Sequence, residues 1–314
     1  MAVLWRSRTG PAAEARRYRA GMDIGTIGIW AFQLDLVPSR QAQEHVAELE
    51  ELGYGALWIP EAVGREAFTS AALLLAGGER IAVATGIASI WGRDAMTMNM
   101  AHKTVSEAYP GRFLLGMGVS HAPMVEGIRK MNYDKPYSHM VSYLDGMDSG
   151  LFFAAEPTEA PQKVLAALGP RMLKLAAERT AGAHPYFVPP EHTAFARETM
   201  GAGPLLAVEQ AVVLETDPAK ARTIARQHTS TYTTLPNYTN NLKKFGITDD
   251  DLVEAGGSDR LVDTIVAWGD LDAVKARVQA HLDAGADHVC IQVVAEDYAA
   301  VPTTEWRELA AALL

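Results

Sequence analysis

The segment Leu165-Ala166-Ala167-Leu168-Gly169-Pro170-Arg171-Met172 has residues suited to holding a phosphate. An apolar, strand-like run enters Gly169-Pro170, and Arg171-Met172-Leu173-Lys174 reads as the start of a helix. Proline has no N–H to leave unsatisfied in a first helical turn. Free N–H groups there, at the positive end of the helix dipole, attract an anion. Arg171 and Lys174 add positive charge nearby. The same residues also suit an ordinary strand–helix turn. Two further apolar runs end in residues of chemical interest: Thr85-Gly86-Ile87-Ala88-Ser89-Ile90-Trp91 and Leu115-Gly116-Met117-Gly118-Val119-Ser120-His121. Glycines in such strands admit a flat ligand, or simply tight packing.

Other chemistries find little support. Gly116-Met117-Gly118 lacks the third glycine of a Gly-x-Gly-x-x-Gly nucleotide loop. No Gly-x-Ser-x-Gly elbow occurs. The run Ile29-Trp30-Ala31-Phe32-Gln33 carries no His-x-His pair, and the nine histidines are scattered, so no metal site is expected. Cys290 is the sole cysteine and lies in an apolar run, which excludes an internal disulfide. The net charge of −10 argues against nucleic acid as partner. No apolar run reaches the roughly 20 residues of a membrane helix. A cytoplasmic protein acting on a small molecule is the expectation.

The elements that must position these residues repeat one grammar. An apolar run at Ile24–Trp30 is followed by Ser39, a suitable N-cap, and by Ala42, Val46, Leu49 and Leu52 on one helical face. Gly53 suits the left-handed turn that would end that helix. The pattern returns near the C-terminus with Leu271, Val274, Val278 and Leu282, then Gly285, then a strand over Val289–Val294. Between them, strands are predicted at 56–59, 81–87, 113–118, 163–168, 184–188 and 205–214. Helices are predicted near 67–77, 94–108, 137–150, 171–181, 191–200 and 217–228. Continuous apolar strands alternating with helices mean a parallel sheet covered by helices. Eight of them favour a closed (β/α)8 TIM barrel, with chemistry at the C-terminal mouth. Residues 229–268 form an extra, largely helical insertion after the seventh strand, and 119–136 form a second long connection. Residues 1–21, rich in Arg with Glu14 as their one acid, are expected to be an unstructured extension. Residues 22–314 are expected to form one domain, with Met22 as an alternative start.

Taken together, Thr85–Asp94, Tyr109–Phe113, Leu115–His121, Gly169–Met172 and Ala284–Val289 resemble the luciferase-like monooxygenase superfamily, and within it the F420-dependent oxidoreductases. The resemblance covers nearly all of 22–314. It implies a tricyclic cofactor, the deazaflavin F420 or alternatively FMN, lying across the barrel mouth. It implies a non-proline cis peptide at Gly86–Ile87, with Ile87, Ala88 and Ser89 lining the cofactor and Ser89 standing where relatives often carry Asn. Gly118, Val119 and Ser120, with Leu168, Gly169, Pro170, Arg171 and Met172, complete the implied cofactor site. Glu61 falls where relatives place an acid, but the histidine that often follows it is Ala62 here. His121 is the preferred proton donor or acceptor and His184 the second choice, with Trp30, Phe32, Trp91 and Tyr186 as walls of a substrate pocket. The implied reaction is hydride transfer between the deazaflavin and a small organic substrate. The alternatives are an FMN-dependent monooxygenase and a non-catalytic cofactor-binding barrel. Relatives commonly pair through the side holding Leu73-Leu74-Leu75, Met96, Met98 and Met100, so a homodimer is expected.

Overall fold

The computed structural model describes residues 22–253 and 255–314; the extension expected at 1–21 lies outside the described residues. The parallel strands β1 (Ile27–Trp30), β2 (Ala56–Ile59) and β3 (Ala82–Thr85) follow one another around the sheet, and the two-residue strand β4 (Ala88–Ser89) follows β3 in the chain. They are succeeded by β5 (Phe113–Gly118), β6 (Gln162–Leu165), β7 (Gly182–Ala183), β8 (Leu205–Val213), β9 (Ala267–Trp268) and β10 (His288–Val293). The strand β10 pairs with both β8 and β1, as in Val289 against Val208 and Ile27, so the sheet closes. The result is a (β/α)8 barrel of β1, β2, β3, β5, β6, β7, β8 and β10, while β4 and β9 extend pairings on β5 and β8.

The helices α1 (Ser39–Leu52), α2 (Ala67–Leu75), α3 (Ala95–Ala108), α4 (Pro136–Asp148), α5 (Pro170–Arg179) and α6 (Pro190–Met200) each follow one barrel strand. After β8 come α7 (Pro218–Tyr232), α8 (Pro236–Leu242) and α9 (Asp259–Ile265), and then α10 (Leu271–Asp283) and α11 (Thr303–Leu313) complete the ring. In α1 the buried residues are Ala42, Val46 and Leu49, and Gly53 ends it at φ +95°, as the spacing predicts. Its first turn differs: Pro38, not Ser39, is the capping position, and no side chain caps it. The terminal helix α11 has no sequence-based expectation; it buries Trp306, Leu309 and Ala310, and Tyr54 donates a hydrogen bond to the Trp306 carbonyl at 2.7 Å.

Two strands differ from expectation in ways that shape the mouth. The run 81–87 is split: it contains the cis Gly86–Ile87 peptide, and pairing resumes only at Ala88. The strand expected over 184–188 is instead β7, two residues earlier and shorter. Pro185 cannot donate to a ladder, and Phe187 stands at φ +58°, so His184–Val188 becomes a loop over the barrel top. Of the apolar residues on α2 and α3, Leu74, Leu75 and Met98 point into the core, while Leu73, Met96 and Met100 remain exposed.

Buried imidazoles are scattered through the barrel wall. His281 bridges the Thr193 hydroxyl (2.8 Å) and Gln210 Oε1 (2.9 Å). His102 and His192 meet the carbonyls of Gln162 and Leu168. Burial lowers the pKa of His102, His228 and His281 to about 3, and of His184, His192 and His288 to about 4. These folded values lie below the unfolded value of about 6.5, so the unfolded chain takes up protons first as pH falls. Stability is therefore lost from about pH 6.5 downward, and the loss saturates only near the folded values. Glu209, raised to about 8 by burial, acts in the opposite sense between pH 4.5 and 8, but it is one group against these six. The melting temperature should fall steadily between about pH 6.5 and pH 4.5. A flat profile in that range would show that these histidines do not remain neutral in the fold.

Candidate active site at the barrel mouth

The strand exits of β1, β2, β3, β5, β6 and β7, together with α7 and α8, enclose a cavity of about 500 Å³. That lies within the usual range for small-molecule sites, roughly 300–1,000 Å³. Its floor is built where β1, β3 and β7 end. Trp30 Nε1 donates to the Gly86 carbonyl at 3.3 Å. A Cβ on Gly86 would come within 2.6 Å of that indole nitrogen and 3.1 Å of His184 Nε2, so only glycine lets both rings approach this position. His184 is stacked on Trp58 at 4.2 Å. Its Nδ1 lies 2.9 Å from the Ala207 carbonyl. A carbonyl only accepts, so Nδ1 carries the proton and Nε2 is left as a lone pair, buried and without a partner.

The side nearest β5 and β6 carries Val119, Ser120, His121, Leu168 and Met172. Ser120 stands at φ +55°, and its carbonyl accepts from the Tyr133 hydroxyl at 3.1 Å. This fixes the 119–136 connection, which includes a π-helical turn over Pro123–Ile128. His121 packs on Tyr238 at 5.2 Å, and its Nδ1 has no partner. Burial lowers its pKa, and a hydrogen bond that the imidazole gives to the Asn237 side chain only partly opposes that. The imidazole is therefore neutral at pH 7. Beside this wall, α5 begins at Gly169 with Pro170 in its first turn and no side-chain cap. A Cβ on Gly169 would meet nothing within 4 Å, so there is open space beside that turn.

The remaining wall is aromatic and comes mostly from the stretch after β8. Tyr186 lies 5.4 Å from Trp30 and 5.2 Å from Tyr232, and Tyr232 lies 5.2 Å from Tyr238. The Tyr186 hydroxyl donates to Gln292 Oε1 at 2.7 Å and lies 2.7 Å from the Tyr232 hydroxyl. Thr231, Leu235 and Asn237 also line this side. Sequence reasoning missed them, although the dense Thr–Tyr stretch Thr231-Tyr232-Thr233-Thr234-Leu235-Pro236-Asn237-Tyr238 was an available signal.

Of the residues expected from sequence, Trp30, Glu61, Gly86, Ile87, Val119, Ser120, His121, Leu168, Met172, His184 and Tyr186 line one cavity. Others are corrected. Ala88 and Ser89 are buried in pairing with Met117 and Gly118 and support the mouth from behind. Gly118 sits against Ile87 and Ala166, where a Cβ would come within 2.6 and 3.0 Å, so it makes room for Ile87 and does not reach the cavity. Gly169 and Pro170 flank the cavity, and Arg171 lies over the Tyr137 ring at 4.0 Å. Phe32 packs on Tyr298 at 4.8 Å, and Trp91 is held outside by stacking on His139 at 4.3 Å and by donating to the Val119 carbonyl at 2.8 Å.

Glu61 needs a different role from the expected one. Both carboxylate oxygens are bound by Arg93, and Oε2 also accepts from the Ser89 N–H at 2.7 Å. The Glu61 and Arg93 side chains are only 5% and 9% exposed. An acid so engaged positions the mouth and is poorly placed to exchange protons with a ligand. Glu61→Gln leaves the buried guanidinium short of an anion, a change that typically costs about 3–5 kcal/mol. Glu66, which also contacts Arg93 at 2.8 Å, should hold the loss to the lower part of that range. Denaturant unfolding of the variant measures it, and a loss below about 1 kcal/mol, the level of a surface pair, would contradict this role.

The sequence matches the family described as luciferase-like monooxygenase over residues 17–288. A Mycobacterium tuberculosis protein, provisionally named a coenzyme F420-dependent oxidoreductase, is 27% identical over 215 residues, a stretch covering 59% of this chain and 61% of that relative. An F420-dependent secondary alcohol dehydrogenase solved with an F420–acetone adduct has the same fold, with TM-score 0.73 and 13% identity over 92% of this chain and 99% of that one. The oxygenating constituent of 3,6-diketocamphane monooxygenase from Pseudomonas putida, solved with FMN, aligns with TM-score 0.63 and 16% identity over 92% of this chain and 98% of that one. By the extent of the family match, this chain belongs to the luciferase-like monooxygenase family.

Proposed function

We propose that this chain is an F420-dependent oxidoreductase that transfers a hydride between the deazaflavin and a small organic substrate. The observation that carries the reading is the cavity at the barrel mouth, flanked by the uncapped start of α5 at Gly169–Pro170. The residues present fit a flavin-like group. His184 Nε2 is an unpartnered polar atom for a heterocycle with its own N–H and C=O groups. The start of α5, uncapped by any side chain and with open space beside Gly169, suits a phosphate. The names of the mycobacterial relative and of the alcohol dehydrogenase support F420, and the FMN-bound monooxygenase supports FMN as the second reading.

When bound, the cofactor supplies the carbon that donates or accepts hydride, chemistry no side chain here provides. The protein's part is to bind, orient and exclude water. Ile87, Val119, Leu168 and Met172 present apolar surface, and the α5 start holds the anionic tail. His184, with its proton fixed on Nδ1, accepts a hydrogen bond at Nε2. His121, neutral at pH 7, takes up or releases the accompanying proton at Nδ1.

Fluorescence titration of the cofactor-free protein with F420 and FMN side by side tests the cofactor. F420 should bind at least about tenfold more tightly, a difference of about 1.4 kcal/mol. Gly169→Asp should weaken that binding strongly with little loss of stability, because its side chain enters open space but opposes the phosphate. Tighter FMN binding, or unchanged F420 affinity in the folded variant, would overturn the assignment. General acid–base help is typically worth about 10²–10⁴-fold in rate. His121→Ala should therefore lower turnover at least about tenfold while leaving cofactor affinity within a few-fold. Near-normal turnover would transfer the proton role to another group, with His184 the next to vary.

A further inference from the structure

We infer that the substrate admitted to this cavity carries no net charge, and that it is a flat or cyclic apolar body bearing a hydroxyl or carbonyl oxygen. The inference rests on the reading of the cavity as an enzyme's site, and it concerns the half of that site walled by Tyr186, Tyr232 and Tyr238.

The first ground is the charge on the lining. Among the described residues, Glu61 is the one acid that lines the cavity, and no Lys or Arg does. Glu61 is already neutralised by Arg93. His121 and His184 stay neutral because burial lowers the pKa of both. Glu209, buried below the tyrosines, is raised to about 8 and is protonated at pH 7. An anion or a cation entering here would lose its water and meet no opposite charge, which strongly disfavours it.

The second ground is shape and hydrogen bonding. Trp30, Tyr186, Tyr232 and Tyr238 enclose one side with neighbouring ring centroids 5.2–5.4 Å apart. Their apolar faces favour a ring. Polar groups on that side include the exposed Thr231 and Asn237 side chains, the Tyr238 hydroxyl, and the hydroxyl pair of Tyr186 and Tyr232, whose hydrogen bonds are defined. Tyr186 gives its proton to Gln292 Oε1, so the proton shared between the two tyrosines is that of Tyr232. Turning that proton toward the cavity donates to a carbonyl without breaking the Gln292 contact, and a free lone pair of the same oxygen accepts from an alcohol. Both forms of a ketone–alcohol couple thus find a partner at Tyr232 Oη.

Isothermal titration of the full chain with three probes of the same body tests this. The probes are 2-acetylnaphthalene, its 6-carboxylate, and its 6-aminomethyl cation. The neutral ketone should bind at least about tenfold more tightly than either ion, a difference of about 1.4 kcal/mol. Tyr232→Phe should weaken the ketone several-fold and leave 2-ethylnaphthalene, which has no oxygen, unchanged. Leu235→Lys, at the rim of the same wall, should shift the preference toward the carboxylate. The inference is overturned if either ion binds as well as the ketone, or if the ketone does not bind at millimolar concentration. It is also overturned if Leu235→Lys folds normally, by its thermal melt, and leaves the preference unmoved. F420 titration reads the cofactor assignment separately. Loss of F420 binding with the probe preference intact would sink only the cofactor reading, and the converse would sink only this one.

Discussion

Glu61 and Arg93 meet where the second and third strand exits converge, and most of the mouth is built on that contact. Glu61 receives Arg93, the Ser89 N–H and, more distantly, the Ala67 N–H at 3.4 Å. Arg93 also contacts Glu66, whose carboxylate caps α2 through Phe68 and Thr69. The Arg93 carbonyl accepts from the Tyr143 hydroxyl of α4 at 2.7 Å. One buried ion pair therefore ties β2, β4, α2 and α4 together behind the cavity. A buried pair of this kind is weak evidence of net stabilisation, but losing one member is costly. Its value here is positional. Ser89 is held in place, Ala88 and Ser89 pair with β5, and Ile87 is set against Gly118.

The backbone around that contact leaves room for little else. Gly116 lies so close to β3 that a Cβ would come within 1.9 Å of the Thr85 carbonyl, and the Thr85 hydroxyl donates to the Gly116 carbonyl at 2.7 Å. Inside the barrel, Trp58 donates to His288 Nε2 at 3.0 Å and stacks on His184. This fills the interior directly below the floor. Close packing of that sort passes position faithfully from the barrel core to the cavity. It also explains how the floor carries an unpartnered nitrogen: the ring is held by its other nitrogen and by its face, so Nε2 is free to serve a ligand.

Much of the barrel was legible because its strands are apolar on both faces and its helices alternate with them at a regular spacing. Ala42, Val46 and Leu49 on α1, or Val274 and Val278 on α10, mark their faces by local sequence alone. The α5 start was legible for the same reason, since Gly169-Pro170 is local chemistry. What escaped depends on distance. Arg93 reaches Glu61 across 32 positions, so nothing near Glu61 in sequence revealed that its carboxylate is occupied. Tyr186 and Tyr232 are 46 positions apart, and each looks like an ordinary loop or helix residue until the chain is folded. Strand β7 was misplaced because its loop, His184–Val188, is as apolar as a strand, and only Pro185 argued otherwise.

The site therefore divides by origin. The floor and the wall beside α5 come from barrel strands and their immediate exits, where glycines at 86, 116 and 118 allow elements to approach closely. The aromatic wall comes from β7's irregular exit and from α7 and α8, which lie between β8 and β10 in the chain. Substitutions in the first part disturb packing that the whole barrel shares. Thr231, Leu235 and Asn237 line the cavity from that stretch, outside the close strand packing, and Asn237 also meets His121. Physical constraint is tight where a cofactor-like tricycle would be cradled and loose where a second molecule would enter. A fold arranged this way can exchange the molecules it admits by altering the stretch after β8, without rebuilding the Glu61–Arg93 contact on which the mouth stands.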